Sequence, residues 1–137
     1  MKKKDKFGIY ETLKFQIADQ LNSQSINHTE IELFDRLLKG NIYKLEEKEI
    51  QSTGYVLHTL EASIWCLLTT ANYKDAVLKA VNPGEDTDTT GAVTGGLAGL
   101  LYGYENIPEN WAREIARRDD IIELAERLRK KYAFSYR

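Results

Sequence analysis

Apolar side chains recur along most of this chain at the three- and four-residue intervals that place them on one face of an α-helix. The first such segment predicts a helix over residues 9–21, and a polar break follows over 22–27. Its apolar side chains repeat every fourth residue, and we expect them to be buried: Ile9, Leu13, Ile17 and Leu21. The alternation that marks half-buried strands is weak throughout, so the pattern favours an all-α protein.

A second helix is predicted to begin at a capping box, in which the Thr29 hydroxyl accepts the backbone N–H of Glu32. Gly40 is expected to stop this helix, because glycine readily adopts the left-handed conformation found at helix ends. The side chains predicted to be buried follow helical spacing: Ile31, Phe34, Leu37 and Leu38.

From Tyr55 onwards the chain is apolar at most positions up to residue 68, which is typical of a central helix covered by others. Another helix is predicted over 73–81. Pro83 ends it, because the residue before a proline is pushed out of the α region.

Two more helices are predicted near the C-terminus. Pro108 suits the first turn of one, with Trp111 and Ile115 as its anchors, and Asp119-Asp120 begins the last. The apolar stripe of the last helix is Ile121, Leu124, Ala125, Leu128 and Tyr132. The sequence therefore predicts a helical bundle that forms a single domain over residues 1–137.

The predicted helix over residues 89–104 is unusually rich in glycine, with Gly91, Gly95 and Gly99 on one face. Each glycine inside a helix costs about 1 kcal/mol relative to alanine, so several of them require a compensating reason. Either another backbone packs very close to this face, or a ligand does.

Composition excludes several classes of function. The net charge is −2, so the chain lacks the overall positive field that attracts nucleic acid or an anionic membrane. No apolar run is long enough to span a bilayer, and the lysine-rich start does not lead into the apolar segment of a signal peptide. We therefore expect a cytoplasmic protein. Cys66, the only cysteine, lies in an apolar run and is expected to be a buried side chain rather than a nucleophile.

Candidate chemistry is concentrated just before the glycine-rich segment, where Asp86, Asp88 and Thr89 place two carboxylates and a hydroxyl within four residues. Such hard oxygen ligands suit Mg²⁺, Mn²⁺ or Ca²⁺ rather than zinc. The same residue types are good helix N-caps, so a purely structural role is the alternative. Three ligands do not fill a six-coordinate shell, and the others must come from water, substrate or other segments. His28 and His58 are expected to have surface or packing roles.

Three segments around these residues resemble the ADP-ribosylglycohydrolase family. They are Gly54 to Ala62 with Ile64-Trp65-Cys66, the run from Ala76 through Asp86-Thr87-Asp88-Thr89 to Gly99, and Ile107-Pro108-Glu109-Asn110-Trp111. The resemblance extends over residues 33–134 and leaves 1–28 as a divergent N-terminal helical segment.

The resemblance implies an all-helical ADP-ribosylglycohydrolase-like fold that binds two Mg²⁺ or Mn²⁺ ions and hydrolyses the glycosidic bond between ADP-ribose and a modified acceptor. It implies that Asp86, Asp88 and Thr89 are metal ligands, and that Gly54 and Tyr55 lie near the ADP-ribose pocket. The metal ions would bind the ribose hydroxyls, orient the sugar and position or activate a water molecule. Neither the catalytic acid nor the acceptor is identified.

Members of the family also carry metal ligands near the N-terminus, in an acidic Gly-Asp motif and a Thr-Asp-Asp-Thr-like block that this sequence lacks. We therefore expect the chain to be the C-terminal half of a family member and to be incomplete or inactive alone. Uncovered apolar faces would then favour binding to an N-terminal-half protein or self-association. The alternatives are a non-catalytic module that binds ADP-ribose or metal, or a helical domain in which the aspartates only cap a helix.

Overall fold

The computed structural model describes residues 5–24 and 26–133, and all regular elements in those ranges are helical, which confirms the predicted all-α fold. The α-helices are α1 (Lys6–Ser23), α2 (His28–Glu32), α3 (Asp35–Leu38), α4 (Val56–Thr69), α5 (Tyr73–Val81), α6 (Thr87–Tyr102), α7 (Glu109–Glu114) and α8 (Arg118–Ala133). Short 3₁₀ helices lie at Ile42–Lys44, Glu47–Glu49 and Tyr104–Asn106. No helix within the described ranges has both the length and the apolar character that a membrane span requires.

The chain divides between Asn106 and Ile107 into two compact units. The first contains α1 to α6 and all the residues proposed above as ligands, and the second contains α7 and α8. The single domain expected over residues 1–137 stays a prediction, as does the divergent segment over 1–28.

Helix α4 is central to the first unit, as its apolar sequence predicts. Its buried side chains lie on most sides of the helix: Leu57, Thr59, Glu61, Ala62, Ser63, Trp65, Cys66 and Leu68. The indole Nε1 of Trp65 donates a hydrogen bond to the Leu45 carbonyl oxygen at 3.0 Å, and the fully buried Ile42 belongs to the same core. The segment before α4 therefore packs onto it although its sequence is mostly polar.

Helix α1 forms as predicted, but the face expected to be buried is largely exposed. Ile9, Leu13 and Ile17 keep 41%, 46% and 45% of their surface accessible and line apolar grooves beside α4, the larger with a cavity of about 300 Å³. Tyr10 is buried instead, and its hydroxyl donates to the Leu37 carbonyl oxygen at 2.6 Å. Burial raises the pKa of Tyr10 to about 12. Helical periodicity identified the apolar face, but it contains no information on whether a neighbour covers that face. Self-association stays a prediction.

The predicted capping box at Thr29 is wrong, because Asn27 is the residue that caps α2. Its side-chain oxygen accepts the backbone N–H of Thr29 at 3.1 Å, and asparagine is among the best N-cap residues. The helix is interrupted at Leu33 and Phe34, and Leu37 is the buried residue of α3. Gly40 follows α3 as expected, but it does not have the positive φ of a left-handed helix end. A Cβ atom at Gly40 would lie 2.6 Å from the Arg36 carbonyl oxygen, so a larger residue would not fit there.

Close packing of α5 against α6 explains one of the glycines in α6. Helix α5 has the predicted bounds, whereas α6 begins two residues earlier than expected. A Cβ atom at Gly91 would lie 2.7 Å from a methyl group of Val81, and one at Gly95 would lie 3.4 Å from the Tyr73 hydroxyl oxygen. A neighbouring helix therefore accounts for Gly91, whereas a Cβ atom at Gly95 would make only an ordinary van der Waals contact. Gly96 and Gly99 have open space where a Cβ atom would be.

The second unit consists of α7 and α8. Pro108 occupies the N-cap of α7 rather than its first turn, Trp111 is half-buried, and Ile115, predicted as an anchor, is 50% exposed. More than half of the surface remains accessible on four members of the predicted apolar stripe of α8: Ile121, Leu124, Leu128 and Tyr132. The stripe is thus present in the helix but is not buried.

Candidate functional site

The start of α6 is bound to the loop that precedes α4 by a short hydrogen-bonded network. The backbone N–H of Asp86 donates to the Ser52 carbonyl oxygen at 2.9 Å, and the Thr90 hydroxyl donates to the Asp86 carbonyl oxygen at 3.0 Å. The hydroxyl oxygens of Ser52 and Thr90 lie 3.1 Å apart, and both residues are buried. Two segments that are more than thirty residues apart in sequence are therefore held together at this point.

The carboxyl groups of Asp86 and Asp88 lie within hydrogen-bonding distance of each other, and Asp88 is exposed. The pKa of Asp88 is lowered, chiefly by the hydrogen bond with the Asp86 carboxyl and then by the backbone N–H of Thr89, which donates to Asp88 at 2.9 Å. Two acidic groups in contact repel each other once both are ionised. The pair is therefore a favourable position for a cation.

Asp86 occupies the N-cap position of α6, but its side chain makes no capping hydrogen bond. An aspartate that served only as a cap would accept a backbone N–H from the first turn. The turn that leads to Asp86 is tight, since Gly84 and Glu85 have φ angles of +93° and +61°. A positive φ at a non-glycine residue such as Glu85 is uncommon and costs on the order of 1 kcal/mol. This geometry argues against capping as the sole role of the aspartate.

Gly54 lies directly against the Asp86 carboxylate. A Cβ atom at residue 54 would be 3.2 Å from Asp86 Oδ2, which is closer than most such contacts. The next residue, Tyr55, is the N-cap of α4 and is 49% exposed. The structure thus brings together the expected metal ligand Asp86 and the residues expected near the sugar nucleotide.

His58, for which the sequence predicted a surface or packing role, lies beside this loop. Its Nδ1 atom is 2.7 Å from the Thr53 hydroxyl oxygen, and its ring packs edge-on against Tyr55 with the ring centroids 5.1 Å apart. The sequence signal for this contact is that His58 follows Tyr55 by three residues at the start of a helix, a spacing that makes the two side chains neighbours on the helix surface. His28 is exposed at the start of α2.

The donor set available for a metal is limited in the part of the chain that the structure describes. Asp86, Asp88 and the exposed Thr89 offer three hard oxygens, but no group of three His, Cys, Asp or Glu side chains is close enough together to hold an ion within residues 5–24 and 26–133.

Cys66 is buried as predicted, and burial raises its pKa to about 11, which is unsuitable for a nucleophile.

Comparison with known proteins gives consistent matches. The model of the family described as ADP-ribosylglycohydrolase matches residues 6–136. The chain is 45% identical over 93 residues to a protein named ADP-ribosylarginine hydrolase Tri1 from Serratia proteamaculans (strain 568), and 38% identical over 93 residues to one of the same name from Pseudomonas putida (strain GB-1). Each of these matches covers 67% of this chain and 25% of the relative.

A third relative is the ADP-ribosyl-[dinitrogen reductase] glycohydrolase of Rhodospirillum rubrum, which is 34% identical over 88 residues. That match covers 58% of this chain and 30% of the relative. The chain therefore spans about a quarter to a third of the length of the curated relatives that it matches.

Proposed function

The chain belongs to the ADP-ribosylglycohydrolase family, and from this membership we propose that it forms one side of a Mg²⁺- or Mn²⁺-dependent site that hydrolyses the bond between ADP-ribose and a modified acceptor. The observation that carries the proposal is the paired carboxyls of Asp86 and Asp88, with Gly54 directly against Asp86. This arrangement combines oxygen atoms suited to a cation with a neighbouring position, Gly54, that has no side chain.

Asp86, Asp88 and Thr89 would hold the metal through oxygen atoms. Two features fit that role: the carboxyls are in contact, and Asp86 is not used as a helix cap. When bound, the metal would orient the ribose and lower the pKa of a water molecule. The chain itself contributes the rigid start of α6, which is fixed by the Thr90 and Ser52 hydroxyls, and a loop at Gly54 that leaves space for the ligand.

We further propose that the acceptor is arginine, because two relatives are named ADP-ribosylarginine hydrolase. The partner would then be an ADP-ribosylated protein in the cytoplasm. The resemblance implies two metal ions, and three protein oxygens at the start of α6 are too few to hold both, so the chain alone should release little or no ADP-ribose.

A second candidate function is a non-catalytic module that binds ADP-ribose or a metal ion. The small donor set among the described residues favours it, because ligand binding needs fewer converging groups than hydrolysis. The two candidates differ in whether ADP-ribosylarginine is cleaved in the presence of Mg²⁺ once an N-terminal-half protein that carries the missing acidic motifs is added.

Calorimetry on the intact chain tests both candidates, first with MgCl₂ and then with ADP-ribose in its presence. Asp88→Asn should weaken Mg²⁺ binding about ten-fold or more, whereas Asp19→Asn, an exposed aspartate of α1, should bind like wild type. If neither titration gives heat and neither ligand shifts the melting temperature, the site is not a binding site. Binding of ADP-ribose without its release from ADP-ribosylarginine, even after an N-terminal-half protein is added, would favour the module.

A further inference from the structure

Gly54 leaves little room beside the Asp86 carboxylate, because a Cβ atom added at Gly54 would lie 3.2 Å from Asp86 Oδ2. The loop Ser52–Tyr55 therefore has to keep a defined shape to maintain this contact. One end of the loop is fixed by the hydrogen bond from the Asp86 backbone N–H to the Ser52 carbonyl oxygen. The other end joins the rigid helix α4. Between these ends the conformation of Thr53, Gly54 and Tyr55 depends on contacts made by side chains.

His58 touches both neighbours of Gly54. Its Nδ1 atom is 2.7 Å from the Thr53 hydroxyl oxygen, and its ring meets the ring of Tyr55 edge-on at 85°. The Thr53 hydroxyl also accepts the backbone N–H of Tyr55 at 3.2 Å. The bonds from Thr59 to the carbonyl oxygens of this loop are longer, at 3.4 and 3.5 Å. The contact between His58 and Thr53 is thus the shortest of the hydrogen bonds that hold the loop from α4.

We infer that His58 is a positioning residue, and this inference rests on the proposed function. Through its hydrogen bond to Thr53, His58 holds Gly54 and Tyr55 in the conformation that receives ADP-ribose. It acts through the loop, because within the described part of the chain His58 makes no hydrogen bond to the carboxylates of Asp86 or Asp88. The role requires only that one ring nitrogen pair with the threonine hydroxyl, and either tautomer satisfies this.

A matched pair of variants separates the hydrogen bond from the ring contact. His58→Asn keeps a polar atom where Nδ1 lies and loses the ring, whereas His58→Phe keeps a ring and loses the hydrogen bond. Thr53→Val removes the other partner of the bond with little change in shape. His28→Phe is the control, since His28 is exposed on α2.

The first readout is the affinity for ADP-ribose in MgCl₂ compared with the affinity for Mg²⁺ alone. We expect His58→Phe and Thr53→Val each to weaken ADP-ribose binding about ten-fold, with the double variant no weaker than either. His58→Asn should stay within about three-fold of wild type, and all variants should bind Mg²⁺ within about two-fold of it. Equal ADP-ribose affinity in wild type and His58→Phe overturns the inference, as do additive effects in the double variant. A merely structural role would lower both affinities together.

The second readout needs no ligand and is hydrogen exchange at the backbone amide of Tyr55, which donates to Thr53. Exchange should be faster in His58→Phe and Thr53→Val, and close to wild type in His58→Asn and His28→Phe. If wild type binds no ADP-ribose while exchange changes in this way, the proposed function fails and the positioning role survives. If wild type binds ADP-ribose but exchange and affinity do not respond to His58→Phe, the positioning role fails and the function stands.

Discussion

Two threonines one turn apart on α6 allow a direct measurement of how much the hydrogen bonds next to the candidate site contribute to stability. Thr90 and Thr94 are both completely buried. The Thr90 hydroxyl donates to the Asp86 carbonyl oxygen and pairs with Ser52, whereas the Thr94 hydroxyl has no hydrogen-bond partner among the described residues. Replacing each with valine removes the hydroxyl, conserves the branched shape and leaves helix propensity almost unchanged.

The two substitutions should change the free energy of unfolding in opposite directions. Thr90→Val loses two hydrogen bonds worth roughly 1 kcal/mol each and leaves the buried Ser52 hydroxyl without its partner, so we expect destabilisation by about 2–3 kcal/mol. Thr94→Val removes a hydroxyl that is buried without a partner, so we expect no loss or a gain of up to about 1 kcal/mol.

Urea denaturation followed by tryptophan fluorescence, to which the buried Trp65 contributes, measures both values, and an unchanged m-value shows that the folded and unfolded states remain comparable. In the Thr90→Val background, Ser52→Ala should cost less than in wild type, because the two hydroxyls act as a pair. Equal destabilisation by the two valine variants would refute the reasoning, since it would mean that the Thr94 hydroxyl is hydrogen-bonded.

Three further outcomes follow from the structure. Gly96→Ala should stabilise the chain by about 1 kcal/mol in thermal unfolding, whereas Gly91→Ala should be less stable than Gly96→Ala, because its Cβ atom would lie 2.7 Å from a valine methyl group of α5. Gly54→Ala should weaken Mg²⁺ binding several-fold in calorimetry, because the added Cβ atom would press on the Asp86 carboxylate. The melting temperature should stay within a few degrees of wild type, and an unchanged Mg²⁺ affinity would contradict this prediction. The raised pKa of Cys66 means that the folded state holds the thiol proton up to about pH 11, while the unfolded state releases it near 9.0. Stability should therefore fall as the pH rises through this window, and the fall should be shallower in Cys66→Ala; parallel curves would count against it.

Much of this fold is predictable from local sequence. Helix α5 begins and ends where apolar spacing and Pro83 predict, because both signals act within a few residues of the backbone that they shape. Asp86 and Asp88 were recognisable as a candidate pair for the same reason, since two carboxylates within three positions at a helix start are already close together before the chain folds. A local signal can still be outcompeted by another one nearby, as the capping of α2 by Asn27 rather than Thr29 shows.

Only the tertiary structure decided which surfaces meet. The apolar face of α1 is evident in the sequence, yet Tyr10 is buried while Ile9 and Leu13 remain 41% and 46% exposed. Likewise, Gly91 and Gly96 are both glycines of α6, but only Gly91 is pressed by α5. The contact of Gly54 with Asp86, thirty-two positions later, depends in the same way on how the loop before α4 docks onto α6. Helical periodicity is set by backbone geometry within one turn, whereas burial depends on which distant segments pack there, and no local pattern of residues records that choice.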